Sequence, residues 1–256
     1  MLSKVISPNN ASLKMAHLYN SILQSKRDNQ KLLAVLLDPD KVDLNTLKNV
    51  VLKINQSPAT HIFVGGSTVE NLILDELIQI VKANSSLPVL LFPGNPSQIS
   101  KEADGILFLS LLSGRNPDYL IEHQVNAVPI LRKTQLEVIS TGYLLIESGH
   151  ETAVARVSKT QPLEINNPIR ILHTAQAGEM LGNKLLYLEA GSGAQKAVPK
   201  DIITLVSQNI SIPVLVGGGI KSISEINTAY DSGADLVVIG TAFENDSNFF
   251  NQKIGG

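Results

Sequence analysis

Eight short apolar runs recur along the chain, and most end in a polar or glycine-rich break. They read "LLAVLLDPD" from Leu32, "HIFVGGST" from His61, "LPVLLFPGN" from Leu87 and "GILFLSLLSG" from Gly105. Then come "TGYLLIESG" from Thr141, "KLLYLEAGSG" from Lys184, "IPVLVGGGI" from Ile212 and "ADLVVIGTAF" from Ala234. A strand with one wet face alternates apolar and polar residues, whereas these are almost continuously apolar. Strands of this kind are buried on both faces, as in a parallel sheet covered by helices.

Helical patterns fill most of the gaps. "DLNTLKNVVLKINQ" sets Leu44, Leu47, Val51 and Ile54 on one face, with Asp43 as N-cap. "TVENLILDELIQIVKAN" from Thr68 is a longer amphipathic run. Asn167 and Pro168 open a helix that Gly182 closes. "SISEINTAYDSGA" pairs Ser222 with Glu225 as a capping box does. The gap from Pro93 to Asp104 is too short for a full helix. The expected fold is therefore α/β, a (β/α)8 TIM barrel of parallel strands with one helix replaced by an irregular connection after strand three. A doubly wound open sheet also alternates strand and helix. Eight strands in 256 residues suit a barrel better, since barrels take about 250 residues. The unusual residues also gather after the strands, where a barrel keeps its chemistry. No linker or low-complexity tract divides the chain, so residues 1–256 are read as a single domain.

Composition removes several function classes. With net charge -2 and 4% aromatic residues, the chain has neither the basic field nor the stacking platform of a nucleic-acid binder. Absence of cysteine excludes disulfides, zinc thiolates and thiol catalysis. The five histidines show no metal-ligand spacing such as HExxH. The first thirty residues mix charges among short apolar groups, and no run reaches the ~20 apolar residues that span a bilayer. A cytoplasmic protein without a transmembrane segment is expected.

Three loops carry the strongest chemical signal. "EAGSGA", "GGGI" and "GTA" follow strands six, seven and eight. In barrels the loops after strands seven and eight often bind a phosphate at the start of a short helix. Gly217, Gly218, Gly219, Gly240 and Thr241 supply bare backbone and a hydroxyl for that purpose; the plain alternative is tight turns. "GSGAQK" lacks the third glycine of a dinucleotide fingerprint, and "GGGIKS" has Lys221 at the wrong spacing for a P-loop. At the first two strands, "LLDPDK" and "VGGST" place Asp38, Asp40, Ser67 and Thr68 where hard oxygens suit magnesium, or where a turn and helix cap would stand. Tyr187 and Glu189, two residues apart on strand six, point the same way. A carboxylate beside a phosphate site has its pKa raised and suits a general base, unless it only accepts loop amides. Lys184 lies at the start of its strand, the wrong end for a Schiff-base aldolase.

These loops resemble the geranylgeranylglyceryl phosphate synthase family, which includes bacterial prenylglyceryl phosphate synthases. The motifs are "LLDPDK", "VGGST", "FPGN", "STGYLLIESG", "YLEAGSGA", "VGGGI" and "IGTAFE", in order from Leu32 to Glu244. The resemblance implies transfer of a prenyl group, such as geranylgeranyl, from an allylic diphosphate to the primary hydroxyl of sn-glycerol 1-phosphate, an ether-lipid step. It implies Mg2+ on Asp38 and Ser67. It implies glycerol phosphate bound by Tyr187, Leu188, Glu189, Ala190, Gly191, Ser192, Gly193, Gly218, Gly219, Gly240 and Thr241. Glu189 is then the base and Tyr187 its catalytic neighbour. The chain departs from the pattern at Leu36, where some bacterial members carry lysine, and at Thr241, where asparagine is common. Phe92, Leu109, Leu111, Leu112, Tyr143 and Leu145 could line a groove for the prenyl tail, which would leave through the thin spot after strand three; ordinary barrel packing is the alternative for each of them. A homo-oligomer, dimer or larger, is expected of such a barrel. The rival readings are a phosphosugar isomerase or aldolase-type barrel, and a phospholipid-precursor binding protein that would tolerate loss of Glu189.

Overall fold

Each apolar run becomes a strand. The computed structural model describes residues 17–66, 73–246 and 249–251. The strands are β1 Leu32–Leu37, β2 His61–Val64, β3 Val89–Leu91, β4 Gly105–Leu111, β5 Glu137–Leu145, β6 Leu185–Glu189, β7 Val214–Gly217 and β8 Leu236–Ile239. All pair in parallel and in sequence order, and β8 returns to β1 to close the barrel. Side chains alternate between two apolar layers. On β6, Leu185 and Tyr187 face the barrel interior, and Leu186 and Leu188 face the helices. This double burial is why the strands read as continuous apolar runs.

The helices are α1 His17–Arg27, α2 Leu44–Asn55, α3 Leu74–Asn84, α4 His123–Leu131, α5 Ala153–Ser158, α6 Pro168–Met180, α7 Lys200–Ser207, α8 Ile223–Asp231 and α9 Thr241–Asn245. Asp43 caps α2 as expected, its carboxylate accepting the Asn45 amide at 3.0 Å. Asn167 caps α6, with Pro168 in its first turn and Gly182 just beyond its end at φ +91°. The box at α8 differs in one bond. Ser222 accepts the Glu225 amide, but the Glu225 carboxylate reaches one residue further back, to the Lys221 amide at 2.6 Å. The helix expected from Thr68 is described from Leu74 onward; its first residues lie outside the described residues. None of the helices among the described residues is long and apolar enough to cross a membrane.

Two features position the site. The connection after β3 holds only a 3-10 turn, Pro96–Gln98, capped by Asn95. The outer face of β4 therefore has no full helix of its own on that side, as the short gap predicts. At the opposite end, α1 closes the barrel floor. Leu18, Tyr19 and Ile22 join the inner layer, and both oxygens of Glu137 accept α1 amides, from Leu18 at 2.6 Å and Tyr19 at 2.9 Å. A carboxylate on the first turn of a helix satisfies orphan donors and favours the helix dipole. β5 begins at Glu137, four residues before the run that announced it, because its first half alternates and leaves Val138 exposed.

Candidate active site

The mouth of the barrel opens into a cleft of about 670 Å³. Glu189, the last residue of β6, points into it and is 5% exposed. One carboxylate oxygen accepts the Gly191 amide at 2.7 Å, and the carboxylate is hydrogen-bonded by the Tyr187 hydroxyl. Burial raises the Glu189 pKa to about 7, with the Tyr187 and Gly191 hydrogen bonds opposing it. Burial first, and then the Glu189 charge, push both Tyr187 and Tyr143 well above the ordinary tyrosine range. Of these three groups, the carboxyl changes charge near neutrality and the two phenols stay protonated.

The Phe92, Tyr143 and Tyr187 rings stand 5.3 to 6.0 Å apart and form an apolar collar below Glu189. From this collar the cleft runs past Leu107, Leu109 and Leu111 and then outward over β4. Ile106 and Phe108 line it there, opposite Gln124 and Ala127 of α4 and beside Ile99. Alternation puts Ile106 and Phe108 on the outer face of β4, so the cleft leaves the barrel where the helix is missing. Two residues expected in this groove lie elsewhere. Leu145 is fully buried in the inner layer and does not reach the cleft. Leu112 packs over Gly142 and Gly178, where a β-carbon would come within 2.8 and 2.7 Å of it. It follows the strand on its outward face, and two glycines make room for it.

The glycine loops meet on the other side of Glu189. Ser192, Gly193, Gly218, Gly219, Gly240 and Thr241 all line the cleft. Gly218 and Gly219 have φ +79° and +70°, and a β-carbon on Gly218 would strike the Glu189 carboxylate and the amides of Ala190 and Gly191. Glycine is required there by both backbone angle and space. Gly240 precedes the short helix α9. The side chains of Leu188 and Ala190 face the helical layer instead, so these two could meet a ligand only through their backbone. Gly191 is buried against Thr152, with its amide already held by Glu189.

Asp38, at the end of β1, also lines the cleft. Gly66 packs against its carboxylate, with a β-carbon position 2.7 Å from Oδ1. Ser67, the next residue, lies outside the described residues. Among the described residues no three carboxylate, histidine or cysteine groups cluster as a metal site. Asp38 Oδ2 is instead 3.2 Å from the Lys41 ammonium, which also reaches Glu244 of α9 at 3.1 Å. Burial works against the Lys41 charge, but Glu244 and then Asp38 outweigh it and raise its pKa. Burial raises the Glu244 carboxyl above its ordinary range despite Lys41. Lys41, Glu244 and Lys221 were not foreseen as site residues, although each stands in the segment that follows a barrel strand, Glu244 within α9. Lys184 is remote from all of this, its ammonium 5.2 Å above the Tyr19 ring at the barrel floor.

Known proteins are similar to this one over most of the chain. The family match, described as the PcrB family, spans residues 25–255. A geranylgeranylglyceryl phosphate synthase from Flavobacterium johnsoniae is 66% identical over 234 residues, covering 91% of this chain and 96% of the relative. Its namesake from Thermococcus kodakarensis is 40% identical over 223 residues, covering 87% and 88%. The solved structure of (S)-3-O-geranylgeranylglyceryl phosphate synthase from Thermoplasma acidophilum, in complex with sn-glycerol-1-phosphate, is similar with TM-score 0.86 at 32% identity, covering 91% and 94%. The tryptophan synthase α-subunit of Pyrococcus furiosus, at TM-score 0.53 and 15% identity, shares the barrel alone. By sequence and by fold, the chain belongs to the PcrB family.

Proposed function

We propose that the protein is a prenyltransferase that joins the primary hydroxyl of sn-glycerol 1-phosphate to an allylic prenyl diphosphate, forming an ether and releasing diphosphate. The observation that carries this reading is the join at Glu189. Glycine loops suited to a phosphate lie on one side of its carboxylate, and an apolar passage out of the barrel lies on the other. A phosphosugar enzyme would use the loops but would have no use for the passage.

The chemistry follows from the positions. Gly218, Gly219, Gly240 and Thr241 would hold the acceptor phosphate, with Ser192 and Gly193 over its glycerol. The hydroxyl of the acceptor gives its proton to Glu189 as the oxygen attacks the allylic carbon. The bond from that carbon to the diphosphate oxygen breaks, and its electron pair leaves with diphosphate. Glu189 is half ionised near pH 7, which suits it to take a proton at neutrality. Tyr187 keeps the carboxylate oriented. Asp38 offers one hard oxygen inside the cleft, which fits a magnesium ion that keeps water and phosphate as its other ligands. Asp38 and Ser67 would hold it, and when bound it supplies positive charge to the departing diphosphate. The prenyl tail would follow Phe92, Tyr143, Leu109 and Phe108 out over β4.

Self-association belongs to the same reading. Ile121, Val125 and Val128 form an exposed apolar stripe on and just before α4, which an oligomer would cover. Sedimentation velocity reads that directly. The function itself is tested by incubating purified protein with labelled sn-glycerol 1-phosphate and prenyl diphosphates of graded length. A labelled, solvent-extractable ether phosphate is expected; no product with any donor would reject the proposal.

A further inference from the structure

The cleft is acidic, although both substrates of the proposed reaction are anions. Among the described residues, Asp38, Asp40, Glu189, Glu244 and Asp246 line it, against the lysines Lys41 and Lys221. Besides backbone amides and a bound metal ion, Lys41 and Lys221 are the cationic Lys or Arg side chains that line the cleft among the described residues. The two lysines stand on different sides. The Lys221 ammonium lies 3.0 Å from the Gln195 carbonyl, beside Gly218 and Gly219 on the β6–β7 side. Lys41 stands on the β1–β8 side, next to Asp38.

Lys41 is held in an unusual way for a surface lysine. Its ammonium touches two carboxylates from opposite ends of the chain, Asp38 at 3.2 Å and Glu244 at 3.1 Å. Both carboxylates are mostly buried, at 18% and 15% exposure, whereas Lys41 is 45% exposed and opens onto the cleft. Glu244 also accepts the Asp38 backbone amide, so one carboxylate on α9 fixes the β1 loop and aims its ammonium. An ammonium has three donors, and these contacts use two of them. A simple surface staple would not need its charge turned into the cleft.

We infer that Lys41 binds the diphosphate of the donor and that Glu244 is the positioning residue that aims it. The inference rests on the prenyl-transfer reading above. With Asp38 engaged by another ligand, Lys41 stays tethered through Glu244, and its remaining donors face the diphosphate. Donor and acceptor phosphates are then met by separate cations, Lys41 and Lys221, across the mouth.

The test uses inorganic pyrophosphate as the probe. Its binding is measured by calorimetry, with and without magnesium, for wild type, Lys41→Met, Lys41→Arg and Glu244→Gln. The Michaelis constants for both substrates are measured alongside. Lys41→Met should weaken pyrophosphate binding and raise the donor KM about tenfold, the scale of one lost charge-assisted contact. The acceptor KM and the melting temperature should change little. Lys41→Arg should recover most of the loss, and Glu244→Gln should raise the donor KM by about threefold without moving the acceptor KM. Wild-type pyrophosphate affinity in Lys41→Met, or a shift in the acceptor KM alone, would overturn the inference. Should the methionine variant lose its circular dichroism signal, Lys41→Gln takes its place. Wild-type protein without transfer activity would refute the prenyl-transfer reading, while the pyrophosphate titrations would still decide the role of Lys41.

Discussion

Replacing Glu189 with glutamine should damage turnover and strengthen the fold, and both effects should depend on pH. The folded protein raises the Glu189 pKa from the ordinary 4.5 to about 7 because the carboxyl is buried. Between those two values the native state holds a proton that the unfolded chain has released. Stability therefore falls as pH rises through this window, and it levels off once the folded carboxyl has ionised. At about 1.4 kcal/mol per pH unit, the rise from 4.5 to about 7 corresponds to about 3 kcal/mol. Glutamine has the same shape, its one amide oxygen can still accept from Gly191 and its amide nitrogen can donate to the Tyr187 hydroxyl, yet it has no charge to bury. Denaturant titrations of both proteins from about pH 4 to pH 8.5 isolate this one group, since every other titration cancels in the difference. The mutant should gain about 3 kcal/mol on wild type across that range, mostly between pH 4.5 and 7. Its turnover should fall by about 10²-fold or more, the scale of a lost general base. Wild-type kcat/KM should fall as pH drops below about 7, as the base becomes protonated. A stability difference that stays flat with pH would refute the burial argument, and near-normal turnover would remove Glu189 from the chemistry.

Activity should require a divalent ion, and Asp38→Asn should raise the magnesium needed for half-maximal rate; full activity in excess chelator would end that idea. Gly240→Ala tests the acceptor phosphate without a steric clash, because its β-carbon would meet Leu36 at an ordinary 3.5 Å. The acceptor KM should rise while the melting temperature holds, and an unchanged KM would move the phosphate away from β8. Glu137→Ala should cost about 1–2 kcal/mol by uncapping α1 at the barrel floor, with kcat untouched. A loss of kcat at constant stability would mean that the floor communicates with the mouth.

The parts of this molecule that were legible in the sequence are those set by local period. Eight double-faced strands read as apolar runs because both of their faces meet apolar layers, and Tyr187 and Glu189 share a direction because strands repeat every two residues. The exit after β3 was legible from a simple length: the residues between Pro93 and Asp104 cannot form a covering helix. The first half of β5 was missed because Val138 lies where cover is thin, so the run alternates there. Leu112 was misassigned because it follows the strand, where period alone no longer says which layer a side chain joins. The Lys41–Glu244 contact joins residues 203 apart, and no local pattern encodes a pair that only barrel closure brings together. The same holds for Glu137 and α1, which are 119 residues apart at the floor.

Closure of β8 onto β1 also sets the order of events during synthesis. Ala34 pairs with Val238, and Val35 with Ile239, so the first strand waits for the last before its second edge is satisfied. Contacts at such separation form late and slowly, since most of the chain must already be ordered for the ends to meet. Until then the β1 loop has no α9 to hold it, and the glycines after β8 have no partner strand beside them. A nascent chain on the ribosome can fold its middle, but it has no working mouth until its last strand emerges. An incomplete chain thereby lacks a complete site, and the unpaired edge of β1 is the kind of strand edge that favours aggregation.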